Sequence, residues 1–152
     1  MFWKRFPIEY QMDSQDCGPA TLKMIAKYYG KYYSLQYLRD KCGLTKEGVS
    51  LLDLSTGAES IGLHSLALKC TMEELVNKVP FPVIVFWNEN HFVVVYGVTK
   101  KHVLVSDPMK GHVKYTYKEF KKGWYLDEKK EGVLLAIEPT ADFKLSKTEK
   151  LQ

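Results

Sequence analysis

Residues 82–107 read PVIVFWNENHFVVVYGVTKKHVLVSD, and this stretch decides the fold. Three β-branched and aromatic runs, Pro82 to Trp87, His91 to Val98 and His102 to Asp107, are divided only by Asn-Glu-Asn and Thr-Lys-Lys. Breaks this short join hairpins, so the runs are expected as antiparallel strands. A fourth run of the same kind, Gly132 to Glu138, follows a polar interval. Upstream the period lengthens to that of helices. Leu22, Ile25, Ala26 and Tyr29 recur at helical spacing, Gly30 stops them as a left-handed cap would, and Pro19 stands in the tolerant first turn. A second helix is expected from Ser34 to Cys42, ended by Gly43. A third opens at the N-cap Ser50, although Gly57 weakens it. Thr71 with Glu74 forms a capping box for a helix over Met72 to Lys78, and Thr116 with Glu119 forms another before Gly123. Helices first and strands second describe an α+β domain, a helical lobe packed on an antiparallel sheet.

At 152 residues the chain is one domain by length, with a core large enough to need no staples. Its 45% hydrophobic and 26% charged content excludes disorder and low complexity. A net charge of +4 is too weak to signal nucleic acid. Cys17, Cys42 and Cys70 are widely and irregularly spaced with no CxxC, which argues against both a zinc site and a disulfide scaffold. The first residues, MFWKRFPIEY, lack a signal-peptide core, and no run approaches the ~20 apolar residues of a membrane span. A soluble, cytosolic domain is therefore expected over 1–140. Residues 141–152 are expected as a tail or linker.

The chemistry concentrates at Asp16-Cys17-Gly18-Pro19, which opens the first helix. The positive end of a helix dipole favours a thiolate, the nucleophilic form of cysteine. Gly18 beside it would let a substrate backbone come close. A buried structural cysteine is an equal reading of this feature alone. Among His64, His91, His102 and His112, only His91 has a carboxylate partner in prospect. A hairpin centred on Thr99 would set His91 across from Asp107, the geometry in which a carboxylate orients an imidazole. Each has a plainer reading, a solvated strand-end histidine and a turn residue before Pro108. The other three histidines read as surface or strand residues. Gln11, six residues before Cys17, is a donor type that completes oxyanion holes, although exposed glutamine is common.

Taken together, Gln11, Asp16-Cys17-Gly18-Pro19-Ala20, Tyr28-Tyr29-Gly30, His91-Phe92-Val93-Val94-Val95 and Asp107-Pro108 resemble the double-glycine leader peptidase family. These are papain-like cysteine-protease domains at the N-terminus of bacteriocin- and peptide-exporting ABC transporters, and the resemblance covers about residues 5 to 140. It implies cleavage of a leader peptide after a Gly-Gly-type site. Cys17 would be the nucleophile, His91 the base and then acid, Asp107 the orienting group and Gln11 the oxyanion donor. The implied partner is a precursor whose leader binds as an amphipathic helix in an apolar groove. Transmembrane and ATPase domains would complete the exporter on the cytoplasmic side of the bacterial plasma membrane.

No cofactor or metal is implied for this domain, since ATP would belong to a nucleotide-binding domain and the chain has no GxxxxGK[ST] loop. It is thus expected to be either an excised domain or a stand-alone relative, and the tail favours excision. Trp87 and Asn88 are candidates to line the cleft. Tyr28, Tyr29, Tyr32, Tyr33 and Tyr37 are candidates for the groove, with packing between the first two helices the better reading for most. Two rival classes remain. A catalytically silent leader- or cargo-binding module should have lost Cys17 or His91. A transglutaminase-like acyl transferase would share the Cys-His-Asp order, but the Gln11 spacing and short helical lobe argue against it.

Overall fold

Continuous apolar strands such as 83–87 and 91–95 need cover on both faces, and the computed structural model, which describes residues 5–145, provides it. The chain runs α1 (Cys17–Tyr28), α2 (Leu35–Cys42), α3 (Leu51–Ser60), β1 (Leu63–Cys70), α4 (Met72–Lys78), β2 (Val83–Trp87), β3 (His91–Val98), β4 (His102–Asp107), β5 (Gly111–Thr116), α5 (Tyr117–Trp124), β6 (Gly132–Pro139) and α6 (Ala141–Leu145). The strands form one antiparallel sheet in the order β1-β6-β2-β3-β4-β5. Ile84, Phe92, Val94, Leu135 and Ile137 pack one face against Leu22, Ile25, Leu38 and Leu54 of the helical lobe. Val83, Val85, Val93, Val95 and Leu134 pack the other against Leu75, Phe120 and Trp124. The alternation of side chains along each strand thus feeds two separate cores.

The expected helix ends are present. Ser34 accepts from Tyr37 N–H at 3.0 Å, and Gly43 closes α2 in the left-handed conformation at φ 67°. Both expected capping boxes form, and Ser50 makes a third with Asp53. Gly57 is explained by packing: a Cβ there would stand 2.5 Å from Cys42 Sγ, so its absence lets α2 and α3 close together.

Three features depart from expectation. Strands β1 and β5 carry no strong apolar run because they are the sheet's two edges, and Leu66, Leu68 and Lys69 of β1 face solvent. Within the expected tail, α6 docks on the helical lobe and its Phe143 is 1% exposed. Of the expected tail, 146–152 lies outside the described residues. The third departure is register. Thr99 N–H donates to His102 O at 2.8 Å, closing a turn at Lys100-Lys101 rather than one centred on Thr99. That change alone displaces the partner strand by three residues, an odd number that would turn Asp107 to the wrong face. A bulge at Tyr96, between the Val95–Val105 and Gly97–Leu104 pairs, takes one residue back. Asp107 therefore lies diagonally from His91 on the same side of the sheet, and the two side chains still meet.

Candidate active site

Cys17 is the first residue of α1, where backbone N–H groups have no partner within the helix. Its N-cap, Asp16, does not cap. The Asp16 carboxylate, 1% exposed, turns away from the helix to accept two bonds from Arg39 of α2, at 2.9 and 2.6 Å. It also accepts from the N–H groups of Met12 and Asp13 at 3.2 and 3.0 Å. The Arg39 hydrogen bond chiefly, against burial, holds the Asp16 carboxyl below its ordinary range. Nothing local in the sequence signals this partnership, whose members are 23 residues apart.

At the head of β3, His91 Nε2 lies 2.8 Å from Asp107 Oδ1. Asp107 also accepts from Met109 N–H at 2.7 Å and is 1% exposed. Since Asp107 occupies Nε2, Nδ1 is the ring nitrogen left for Cys17, whose side chain helps to hold charge on the ring. Burial opposes charge on His91, but the bonds to Asp107 and Cys17 outweigh it and lift the imidazole to about 9. Burial would likewise raise Asp107; the bonds from His91 and Met109 N–H win and hold it low. Gln11 reaches the same region, its N–H donating to Pro108 O at 2.9 Å, just past Asp107. Its Nε2 donates to Asp13 O at 3.1 Å, and its buried Oε1 has no hydrogen-bond partner. The structure thus brings Gln11, Cys17, His91 and Asp107 into one neighbourhood.

Cys17 lines a cleft of about 610 Å³ whose apolar walls include Val49, Leu51, Phe86, Phe92, Leu126 and Val133. Nothing in the sequence marks these as a set, because they come from five separated places in the chain and each has the character of ordinary core. The residues expected in the cleft are elsewhere. Gly18 is buried, and a Cβ on it would meet Val49 Cγ2 at 2.3 Å, so its smallness admits Val49 rather than a substrate. Trp87 points to the opposite core, 5.0 Å from Tyr115 and 5.1 Å from Phe120 between ring centres. Asn88 is exposed in a left-handed turn at φ 50°, and Asn90, two residues on, faces the cleft instead. Tyr33 and Tyr37 stack in the helical lobe, Tyr28 and Tyr32 are exposed, and none of the five tyrosines lines the Cys17 cleft. His64 pairs with Glu59 and His112 with Phe6 O, apart from the site.

Burial pushes the Cys42 thiol up to about 12 and Cys70 to about 11. Iodoacetamide at neutral pH is therefore expected to add a single carbamidomethyl group, at Cys17, with the other two labelled only on unfolding. Peptide mapping by mass spectrometry checks this, and labelling of Cys42 or Cys70 at a comparable rate would contradict it.

A cysteine at a helix N-terminus, set against a His–Asp pair on an antiparallel sheet, defines a papain-like cysteine peptidase of the α+β class. Residues 5–142 match the family model described as "Peptidase C39 family", and the chain belongs to that family. It is a cysteine peptidase. Over 144 residues it is 35% identical to the lactococcin-G-processing and transport ATP-binding protein of Lactococcus lactis subsp. lactis, a match that takes in 91% of this chain and 20% of the relative. It is 31% identical to the colicin V secretion/processing ATP-binding protein of Escherichia coli, over 92% of this chain and 19% of that one. The chain therefore spans about a fifth of the length of these curated relatives. Among solved structures it is similar to a double glycine motif protease from an AMS/PCAT transporter in complex with the leader peptide. There the TM-score is 0.82 and the identity 34%, covering 90% of this chain and 93% of that one. The peptidase domain of Streptococcus ComA, a bi-functional ABC transporter involved in quorum sensing, superposes at TM-score 0.80 with 27% identity, over 90% of this chain and 100% of that one. Among the described residues no helix is long and apolar enough to cross a membrane.

Proposed function

We propose that this chain cuts the leader from a bacteriocin or other secreted-peptide precursor after a Gly-Gly-type site, as the peptidase domain of an ABC exporter on the cytoplasmic side of the membrane. The observation that carries the reading is the His91–Asp107 pair at 2.8 Å, with Cys17 in the wall of an apolar cleft. His91 takes the thiol proton through Nδ1, and Cys17 Sγ attacks the carbonyl carbon of the scissile bond. Backbone N–H groups of the first turn of α1, with the Nε2 N–H of Gln11 not given to Asp13, are the oxyanion donors. The imidazolium then protonates the departing amine as the C–N bond breaks. Water, deprotonated by His91, hydrolyses the thioester and restores the thiol. No cofactor enters this chemistry, and ATP would act only in a separate nucleotide-binding domain.

An amphipathic helical leader fits the cleft, whose apolar wall would take its apolar face. Leu51 tests this cleanly because it is the first residue of α3, where an aspartate suits the helix dipole. Leu51→Asp is expected to raise KM about tenfold, the equivalent of losing part of one leucine's burial, with kcat little changed. An unchanged KM would remove Leu51 from the leader site.

The founding experiment uses a synthetic leader ending in Gly-Gly followed by a short cargo, under reducing conditions, read by mass spectrometry. Cleavage after the second glycine is expected, and it should be lost with Cys17→Ala and with Val-Val in place of Gly-Gly. A leader bound but never cut by the unmodified chain would make this a binding module. Transfer to an added amine in preference to water would make it an acyl transferase.

A further inference from the structure

We infer that Arg39 is a positioning residue for Cys17, acting through the Asp16 carboxylate; this rests on the reading of Cys17 as the nucleophile. The carboxylate next to Cys17 in the chain would, left unpaired, oppose a thiolate, and turned toward the helix it would occupy the first N–H groups of α1. Arg39 prevents both. Its Nε donates to Oδ1 at 2.9 Å and Nη2 to Oδ2 at 2.6 Å, a two-pronged grip that fixes the plane of the carboxylate as well as neutralising it. The guanidinium is itself held on α2, where Nη1 donates to Gln36 Oε1 at 3.2 Å and Gln36 Nε2 donates to Asp40 Oδ1 at 3.0 Å.

The same grip extends across the site. Oδ2 of Asp16 also takes the N–H groups of Met12 and Asp13, and Asp13 O takes the Nε2 of Gln11. Gln11 N–H in turn is bonded to Pro108 O, on the turn that follows Asp107. Hydrogen bonds joined through the backbone of Asp13 thus link Arg39 to the amide of Gln11, and Gln11 to the turn that follows Asp107. The other charged groups nearby are Asp13 and Asp40 around Arg39, His91 against Cys17, and Lys46 and Glu47 on the cleft wall.

Two opposite substitutions test the charge. Arg39→Met leaves a carboxylate beside the nucleophile, so the acid limb of iodoacetamide inactivation should move to higher pH. Asp16→Asn leaves a cation there, and the limb should move to lower pH. Arg39→Lys keeps the charge but loses the fork, so the limb should stay in place while kcat for leader cleavage falls roughly tenfold to 100-fold with KM unchanged. Thermal denaturation of each variant separates these effects from unfolding, and Asp16→Asn keeps the test open should Arg39→Met not fold. Limbs that do not move, or move the same way in both charge variants, would overturn the inference, as would full kcat in Arg39→Lys. Unmodified chain that is not inactivated at Cys17 would instead overturn the reading on which it rests.

Discussion

Cys17→Ala and His91→Ala are each expected to lower kcat for leader cleavage by roughly four to six orders of magnitude, while the leader binds with little change. The size follows from the division of labour. Without sulfur there is no thioester, and neither of the other cysteines can supply one, since both are buried and held protonated. Without His91 the thiol keeps its proton, and no group protonates the departing amine. The two losses remove the same step, so the double variant should be no slower than the worse single variant. Binding is preserved because the apolar cleft walls are untouched by either change. Single-turnover cleavage followed by mass spectrometry measures the first quantity and calorimetric titration of Cys17→Ala with leader the second. Activity within a hundredfold of the unmodified chain in either variant would require a different nucleophile or base.

How much of this was legible beforehand depends on whether the signal is local. Cys17 at a helix start and His91 opening an apolar strand are written in adjacent residues, and they stand as expected. The expected contact of His91 with Asp107 forms, although through a register other than the hairpin centred on Thr99. It survives because the turn at Lys100-Lys101 and the bulge at Tyr96 together displace the strand by an even number of residues. No feature of the strand pattern announces that bulge. Edge strands β1 and β5 escaped notice because half-solvated strands need few apolar residues. The cleft escaped for another reason. Val49, Leu51, Phe86, Phe92, Leu126 and Val133 acquire a common purpose only after the chain has folded, as do Asp16 and Arg39.

Asp107→Asn is expected to cost about a hundredfold in kcat/KM, within the range that general acid–base catalysis supplies, and to move the alkaline limb of its pH profile downward. Asparagine keeps the shape and the acceptor oxygen, so the His91 ring stays oriented and only the charge is lost. Burial disfavours the imidazolium; Asp107 and Cys17 together overcome it, so the unmodified chain keeps His91 protonated up to about 9. Removing one of the two supports lets burial count for more, and the proton leaves at lower pH. Stability should follow the same sign. His91, raised from 6.5, contributes in full below 6.5 and loses that contribution as pH rises through about 9. Asp107, lowered from 3.8, contributes in full above 3.8 and loses it as pH falls through its depressed value. The pair is therefore strongest between 3.8 and 6.5. The melting temperature of Asp107→Asn should fall furthest below that of the unmodified chain in this window, and the gap should narrow above about 9. Melting curves and kcat/KM across this range decide it. A gap that widened with alkalinity, or an alkaline limb that stayed in place, would mean that Asp107 orients His91 without holding its charge.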